Sequence, residues 1–421
     1  MNKIKFGPRA GSRKLLWGIV LGAIAIDLTS IVLRRMQHGS DFDISMVFGQ
    51  RFIAGEYLYR GGLHFPYMPA AAMWFSLFAC FPSPVAFGLS YCLALASLGL
   101  VMRMLRRMVS EETPAVIARS YYVEVITLIL TAHFVVRDLD DGGPNIILLA
   151  IVVAGIYFIF EQRQVLGPLC LGLATALKAT NGIFVPFLLW KRQWLLAFYT
   201  AAFALLWISL PILRMGPASW WMHQREWFSS AMGFALAHNS AAEYYYGYRN
   251  VHNQAFRPAI QVYLATQTPG AGVSIKLVSG FAALLLVGVF CRATRRPYGS
   301  KLSIDWLTDS SGLMIMAVML APLAWAQHFV VAVPAIYLIT AGWFSGRRLG
   351  ALGSTAIVLY VVAVFGLSRP LLGKVRYEVV LGYHILTFAM LLILAVLLST
   401  RALESTTPFE ERVWEPLRSH H

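Results

Sequence analysis

Apolar runs of about twenty residues recur from Leu15 to Leu398, separated by shorter polar segments. A helix needs about 20 apolar residues to cross about 30 Å of hydrocarbon, so this spacing predicts an all-α integral membrane bundle. The runs predict about twelve crossings, at roughly 15–33, 84–105, 121–136, 145–160, 165–177, 182–190, 195–212, 272–290, 310–323, 329–344, 350–367 and 378–399. Two places depart from full spans: Pro69–Phe81, which ends in Pro82-Ser83-Pro84, and the short runs on either side of Lys178. Either reads equally as re-entrant. The first run lacks a small-residue cleavage site and carries Asp27, so it reads as a retained helix and not a signal peptide. The chain reads as one domain over 1–421, with no internal repeat of the kind common in secondary transporters.

The polar segments set an orientation. Lys3, Lys5, Arg9, Arg13 and Lys14 precede the first run, Arg292, Arg295, Arg296 and Lys301 form one basic loop, Arg347 and Arg348 another, and 400–421 is a charged tail. The positive-inside rule puts these in the cytoplasm, with both termini inside a multi-pass protein of the plasma (inner) membrane. It leaves four segments outside: 34–68 with an interfacial helix near Phe42–Ala54, the Arg137–Asn145 turn, the long stretch 213–270, and the tight Ala324–His328 turn.

Composition agrees, with 58% hydrophobic and 13% charged residues, where soluble domains carry about 25% charged. The net charge of +15 comes from short loops between apolar runs, which is topology information and not a nucleic-acid-binding stripe. Cys80, Cys92, Cys170 and Cys291 are scattered, with neither zinc-site nor disulfide spacing.

Candidate chemistry collects on the outer side. Asp41 and Asp43 follow the first run, where a carboxylate beside an apolar wall is partly desolvated and suited to take a proton from a hydroxyl. The alternative is that Ser40 or Asp41 caps the surface helix. Lys178 needs a cavity or partner at membrane depth, or snorkels to an interface. His328 either touches substrate or satisfies carbonyls at a helix end. In 213–270, aromatic residues interleave with Arg and His; most suit an interfacial belt, and Asn253-Gln254 with Arg257 reads as site-lining. Arg137-Asp138-Leu139-Asp140-Asp141-Gly142 lacks the ligand spacing of a calcium loop and reads as a solvated turn, so no metal or cofactor is expected. Asp27 and Glu124 fall inside predicted spans and should face protein or a water-filled cavity.

Several of these residues fall in an ordered series: Asp41-Phe42, Gly55 with Tyr59, Phe65-Pro66-Tyr67-Met68-Pro69, Gly142-Gly143-Pro144-Asn145, Gly172–Lys178, Asn253-Gln254-Ala255, and Ala321-Pro322-Leu323-Ala324-Trp325-Ala326-Gln327-His328. The series resembles glycosyltransferase family 87, which includes polyprenyl-phosphate-mannose-dependent mannosyltransferases. It departs from the family pattern where Gly143 replaces Gln, where Ala255, Ala321 and Ala324 replace Ser, and where His328 comes one position late. The resemblance implies a GT-C fold with an extracytoplasmic active site. It also implies a polyprenyl-phosphate sugar donor, a lipid or glycan acceptor, and an Asp base, here Asp41. Tyr67, Asn145, Lys178, Asn253, Gln254, Arg257 and His328 become candidates to bind donor phosphate or substrate. A lipid-linked sugar flippase is the alternative, with ionisable groups spread along a path through the bilayer.

Overall fold

The computed structural model describes residues 28–33, 40–60, 67–112, 120–236, 250–267, 272–296, 298, 303–347 and 349–404. Most of the first predicted crossing, with Asp27, lies outside these residues. So do Phe65-Pro66, 237–249 of the long outer segment, Lys301, Arg348 and the tail beyond 404.

Among the described residues the regular structure is helical and no strand occurs. The helices are α1 Asp41–Ala54, α2 Pro69–Ala79, α3 Ser83–Glu112, α4 Ser120–Asp140, α5 Pro144–Phe160, α6 Leu166–Leu177, α7 Phe184–Trp190 and α8 Trp194–Ser209. They continue with α9 Pro217–Leu236, α10 Phe256–Gln267, α11 Gly272–Ala293, α12 Ile304–Met319, α13 Val333–Phe344, α14 Gly350–Val361, α15 Arg369–Gly382 and α16 Ile385–Glu404. Among the described residues four helical stretches are long and apolar enough to cross a membrane, or up to six if each of two bent pairs is one span. This is fewer than the twelve runs in the sequence, because most of 15–33 lies outside the described residues and α6, α7 with its preceding 3₁₀ turn, α12 and the apolar part of α16 are each too short to count by length. The outward faces of α8 and α11 carry exposed Phe198, Leu205, Leu277, Phe281 and Leu284, the surface expected to meet lipid.

The structure departs from the sequence expectations in three regions. The stretch 213–270 is largely helix: α9 and α10 occupy its described parts, and Trp220 Nε1 ties α9 to the Ile208 carbonyl at 2.9 Å. The apolar helix expected from 378 begins at Ile385, because the polar α15 turns off at 91° from the α14 axis. And α12 begins at Ile304, ahead of the expected 310, because its acidic Asp309 has a buried partner.

That helix is the centre of the bundle, with Trp306, Leu307 and every residue from Asp309 to Met319 buried. Trp306 Nε1 donates to the Ile156 carbonyl of α5 at 2.9 Å, and its ring stacks on Phe187 of α7. Small residues let neighbours approach closely: a Cβ on Gly172 of α6 would lie 2.7 Å from the Ala204 nitrogen of α8. Lys191, just after α7, has 0% side-chain exposure, as has Asp309, and they pair at 2.7 Å. Lys191 Nζ also donates to the carbonyls of Thr294 and Arg296, and Tyr298 Oη donates to Asp309 at 2.8 Å. Every ammonium proton is therefore used, which holds the segment after α11 onto the bundle. Glu124 is likewise partnered, by Arg106 at 3.1 Å.

Lys191→Ala leaves a buried, uncompensated carboxylate and is expected to destabilise the protein by about 3–5 kcal/mol. A Lys191→Met/Asp309→Leu pair should be much closer to wild type, and thermal unfolding of both in detergent checks the difference.

Candidate active site

The first turn of α1 separates its two carboxylates. Ser40 occupies the N-cap position with extended backbone but makes no side-chain cap; its hydroxyl donates to Asp43 Oδ2 at 3.1 Å. Ser83 Oγ, at the start of α3, donates to Asp43 Oδ1 at 3.0 Å, so Asp43 pins α1 to α3. Asp41, two positions earlier, points away from that contact. Its side chain is exposed, and among the described residues no protein group hydrogen-bonds its carboxylate. Between them Phe42 is buried edge-on against Phe78 and Phe87, which anchors the turn.

The far end of α1 is equally constrained. Gly55 ends the helix in a left-handed conformation (φ 72°). The following Leu58 amide donates to His223 Nε2 of α9 at 3.0 Å, while Arg51 Nη1 donates to the Leu58 carbonyl at 2.7 Å. Tyr59 Oη then donates to the Tyr67 carbonyl at 3.1 Å. The Gly55 and Tyr59 positions thus steer the chain to Tyr67, at the entry to α2.

The Arg137–Asn145 turn faces this segment. At its bottom Asp138, with 0% exposure, accepts from the Asn145 side chain at 2.8 Å and from the amides of Asn145 and Ile146 at 3.3 and 2.8 Å. It acts as the cap of α5 from the preceding helix. Asn145 Oδ1 in turn accepts from Lys178 Nζ at 2.9 Å. The expectation of a solvated turn fails here: Asp138 and Asp141 are both buried, and Asp141 Oδ2 has no hydrogen-bond partner. Asp138 before a Gly-Gly-Pro helix start was readable as a capping signal; nothing local marks Asp141.

Lys178 ends α6 and stands between two narrow cavities. One is lined by Tyr67, Trp74, Asn145 and Lys178, the other by Asn145, Lys178, Asn181 and His328. His328 lies in the 3₁₀ turn Ala326–Ala332, where its Nδ1 accepts the Trp325 amide at 3.3 Å. Asn253 and Gln254 are buried behind that turn: Asn253 Oδ1 accepts the Ala324 amide at 3.0 Å, and the Gln254 amide donates to the Ala324 carbonyl at 2.7 Å. Gln254 also donates to the Leu381 carbonyl at 2.9 Å and accepts the Leu386 amide at 3.2 Å. These two side chains hold loops together and do not face the Lys178 cavities. Arg257 is half-buried in the first turn of α10 and lines neither cavity.

The profile of glycosyltransferase family 87 matches residues 65–322, more than half of the chain. The chain belongs to glycosyltransferase family 87. No curated protein and no solved structure matches it. The matched stretch of this glycosyltransferase holds Tyr67, the Arg137–Asn145 turn, Lys178 and Asn253–Arg257, while Asp41 precedes it and His328 follows it.

The glycosyltransferase has no room for a side chain where the family's Gln would stand. Gly142 and Gly143 have φ of 84° and 75°, and a Cβ on Gly143 would sit 2.2 Å from the Ala94 Cβ of α3. Gly142 packs against the Phe42 ring, and its carbonyl accepts from Ser90 Oγ at 2.7 Å. Electrostatically, Asp41, Asp138 and Asp141 converge on Tyr67: burial and then these three carboxylates push its phenol well above the ordinary value. The protein packed around Asp41 raises its carboxyl, and Arg137 opposes the rise. Burial pushes Asp141 up to about 7, with Arg137 lowering it and Asp41 and the other turn carboxylates adding to the rise. An open carboxylate of raised proton affinity can accept a proton, and the lysine that shares a cavity with Tyr67 can stabilise an anion.

Because the folded pKa of Asp141 lies near 7 and that of an unfolded Asp near about 3.9, its contribution to stability is fully present below about pH 4 and is lost as pH rises through about 7. Asp141→Asn should therefore flatten the fall in melting temperature between pH 5 and 8, and should melt above wild type at pH 8. A steeper fall in the variant would contradict a buried, unpaired carboxylate.

Proposed function

We propose that this glycosyltransferase moves a sugar, mannose by the family resemblance, from a polyprenyl phosphate to a hydroxyl of a lipid or glycan acceptor. The observation that carries this reading is the division of labour in the first turn of α1. Asp43 is bound by two serine hydroxyls, whereas Asp41 is open beside Tyr67 and the buried Arg137–Asn145 turn. Asp41 takes the proton as the acceptor oxygen attacks the anomeric carbon, the bond from that carbon to the phosphate oxygen breaks, and polyprenyl phosphate leaves with the charge. One displacement inverts the anomeric centre. Lys178 and His328, which line one cavity, stabilise the phosphate as its charge grows. Asn253 and Gln254 support this from behind by holding the Ala324 end of the His328 turn, and Arg257, which lines neither cavity, stays a candidate for the donor phosphate on the family resemblance alone.

The bundle crosses the plasma membrane about twelve times, with the short helices among the crossings, both termini in the cytoplasm and Asp41 outside. The family and the gathering of candidates at one end favour an enzyme over a flippase. A radiolabelled polyprenyl-phosphate sugar, incubated with purified protein and acceptor in detergent, tests this directly. Label should move to the acceptor, and a donor left chemically unchanged would sink the reading.

Asp41→Asn should abolish transfer with the fold intact, and an active variant would overturn the assignment of the base. Asp43→Asn should keep part of the rate but lower the melting temperature, since it weakens the ties to Ser40 and Ser83. In wild type, the acid-side loss of rate should fall at a higher pH than an ordinary carboxylate gives, because the carboxyl of Asp41 is raised. Lys178→Ala and His328→Ala should each lower turnover at saturating acceptor by about 10²–10³-fold if they touch the phosphate. Near-wild-type rates in well-folded variants would make both residues structural. Cysteine labelling from outside intact cells should reach α9 and miss Arg292–Arg296; the reverse would invert the topology.

A further inference from the structure

A cavity lined by none of the candidate site residues lies away from Asp41. It has a volume of about 640 Å³ and runs between α4, α13, α14 and α16. Its walls are apolar, among them Ile126, Ile339, Ile357 and Ile393. Thr340 presents little polarity there, because its hydroxyl donates to the Ile336 carbonyl of its own helix at 2.8 Å. At the inner end Tyr360 Oη donates to the Leu130 carbonyl at 2.7 Å, closing the groove across two helices. At the mouth stand Gly346, Arg347, Leu349 and Gly350, and the stem of Arg347 lies along Gly342.

The mouth has the character of a membrane interface. Tyr121, Tyr122 and Trp343 are exposed beside it, and Tyr122 stacks on Phe344. Such aromatic girdles mark the headgroup level of a bilayer. The depth of the groove is the informative quantity. From Ala351 at the mouth to Tyr360 at its end, α14 rises about 14 Å at about 1.5 Å per residue, close to half of the roughly 30 Å hydrocarbon thickness. The groove is thus one leaflet deep. It is also on the wrong end for the donor: α4 leads from Ile126 in the groove to Asp138 at the opposite end of the helix, about 18 Å away at that rise. A volume within the roughly 300–1,000 Å³ of ligand pockets, apolar walls and the Arg347 guanidinium at the rim describe an amphiphile with an anionic head.

We propose that this groove binds one glycerophospholipid with an anionic headgroup, from the leaflet opposite the active site. One acyl chain lies between α4 and α14 as far as Tyr360, and the phosphate-bearing head meets Arg347. A polyprenyl chain, far longer than one leaflet, does not match a groove closed at that depth. The site is independent of the proposed transfer reaction and is tested without measuring it.

The experiment is native mass spectrometry of the full chain in mild detergent, titrated with phosphatidylglycerol and, separately, with phosphatidylcholine, with thermal unfolding run in parallel. Wild type should retain one phosphatidylglycerol in preference to phosphatidylcholine. Arg347→Gln should weaken phosphatidylglycerol about fivefold, the size expected for one cation at a lipid surface, and leave phosphatidylcholine unchanged. Ser354→Trp, which fills the groove, should remove both by more than about tenfold, since it occupies the volume the acyl chain needs. Should that variant fail to fold, Ala351→Phe gives the same reading. Equal retention of the two lipids, full lipid binding by the filled variant, or preferential capture of polyprenyl phosphate would each overturn the proposal. So would a photo-crosslinker at position 354 that captures the chain's own 15–27 run in place of added lipid.

Discussion

Where α5 begins, at Pro144, the amides of Asn145 and Ile146 are ones that a helix start leaves without a partner of its own, and Asp138 from the end of α4 is the group that answers them. A buried carboxylate is costly alone, but here each oxygen accepts a hydrogen bond and the helix end supplies favourable polarity. The consequence reaches beyond the turn. The same carboxylate holds the Asn145 amide group, which fixes the Asn145 carbonyl oxygen toward Lys178, and Lys178 is the wall between the two cavities of the candidate site. A helix cap thereby sets the position of the cation assigned to the leaving phosphate.

The other half of the site is laid against that turn by packing. Phe42 fills the space that a glycine at 142 leaves open, so α1 can lie across the turn because Gly142 has no side chain, while the bare Gly143 lets the same turn pack against Ala94 of α3. Once Phe42 is seated, the helical register places Asp43 toward Ser83 and Asp41 toward Tyr67. One carboxylate becomes a tether and the other stays available. Their sequence neighbourhood is nearly the same; their difference is one of direction.

The two ends of the bundle treat charge differently. In the Lys191–Asp309 cluster both ionised groups are met by protein partners, as a closed structural cluster must be. At the Asp41 end, Asp41 is open and Asp141 lacks a hydrogen-bond partner for one oxygen, which is the pattern of a site completed by something other than protein. Binding there would relieve the pH-dependent cost of Asp141 as well.

By itself the sequence determined the class of the protein, because apolar run length answers to bilayer thickness wherever the helices end up. It also determined the boundaries of α1, α5 and α6 to within a residue, and through ordered short motifs the family. It marked Asp41, Tyr67, Asn145, Lys178 and His328 as residues of interest, since polar groups among apolar neighbours stand out in one dimension. Only the tertiary structure decided which of them face each other. Asp138 and Asp141 looked like part of a solvated turn because local composition does not say what covers a loop, and α1 and α3 cover this one. Asn253 and Gln254 looked site-lining because an amide is equally able to hold a substrate or a backbone, and only the placement of Ala324, Leu381 and Leu386 around them makes them clamps. Lys191 and Asp309 meet across 118 positions of chain. Hydrophobic periodicity is a local signal, whereas the pairing of buried polar groups is settled by which helices pack together.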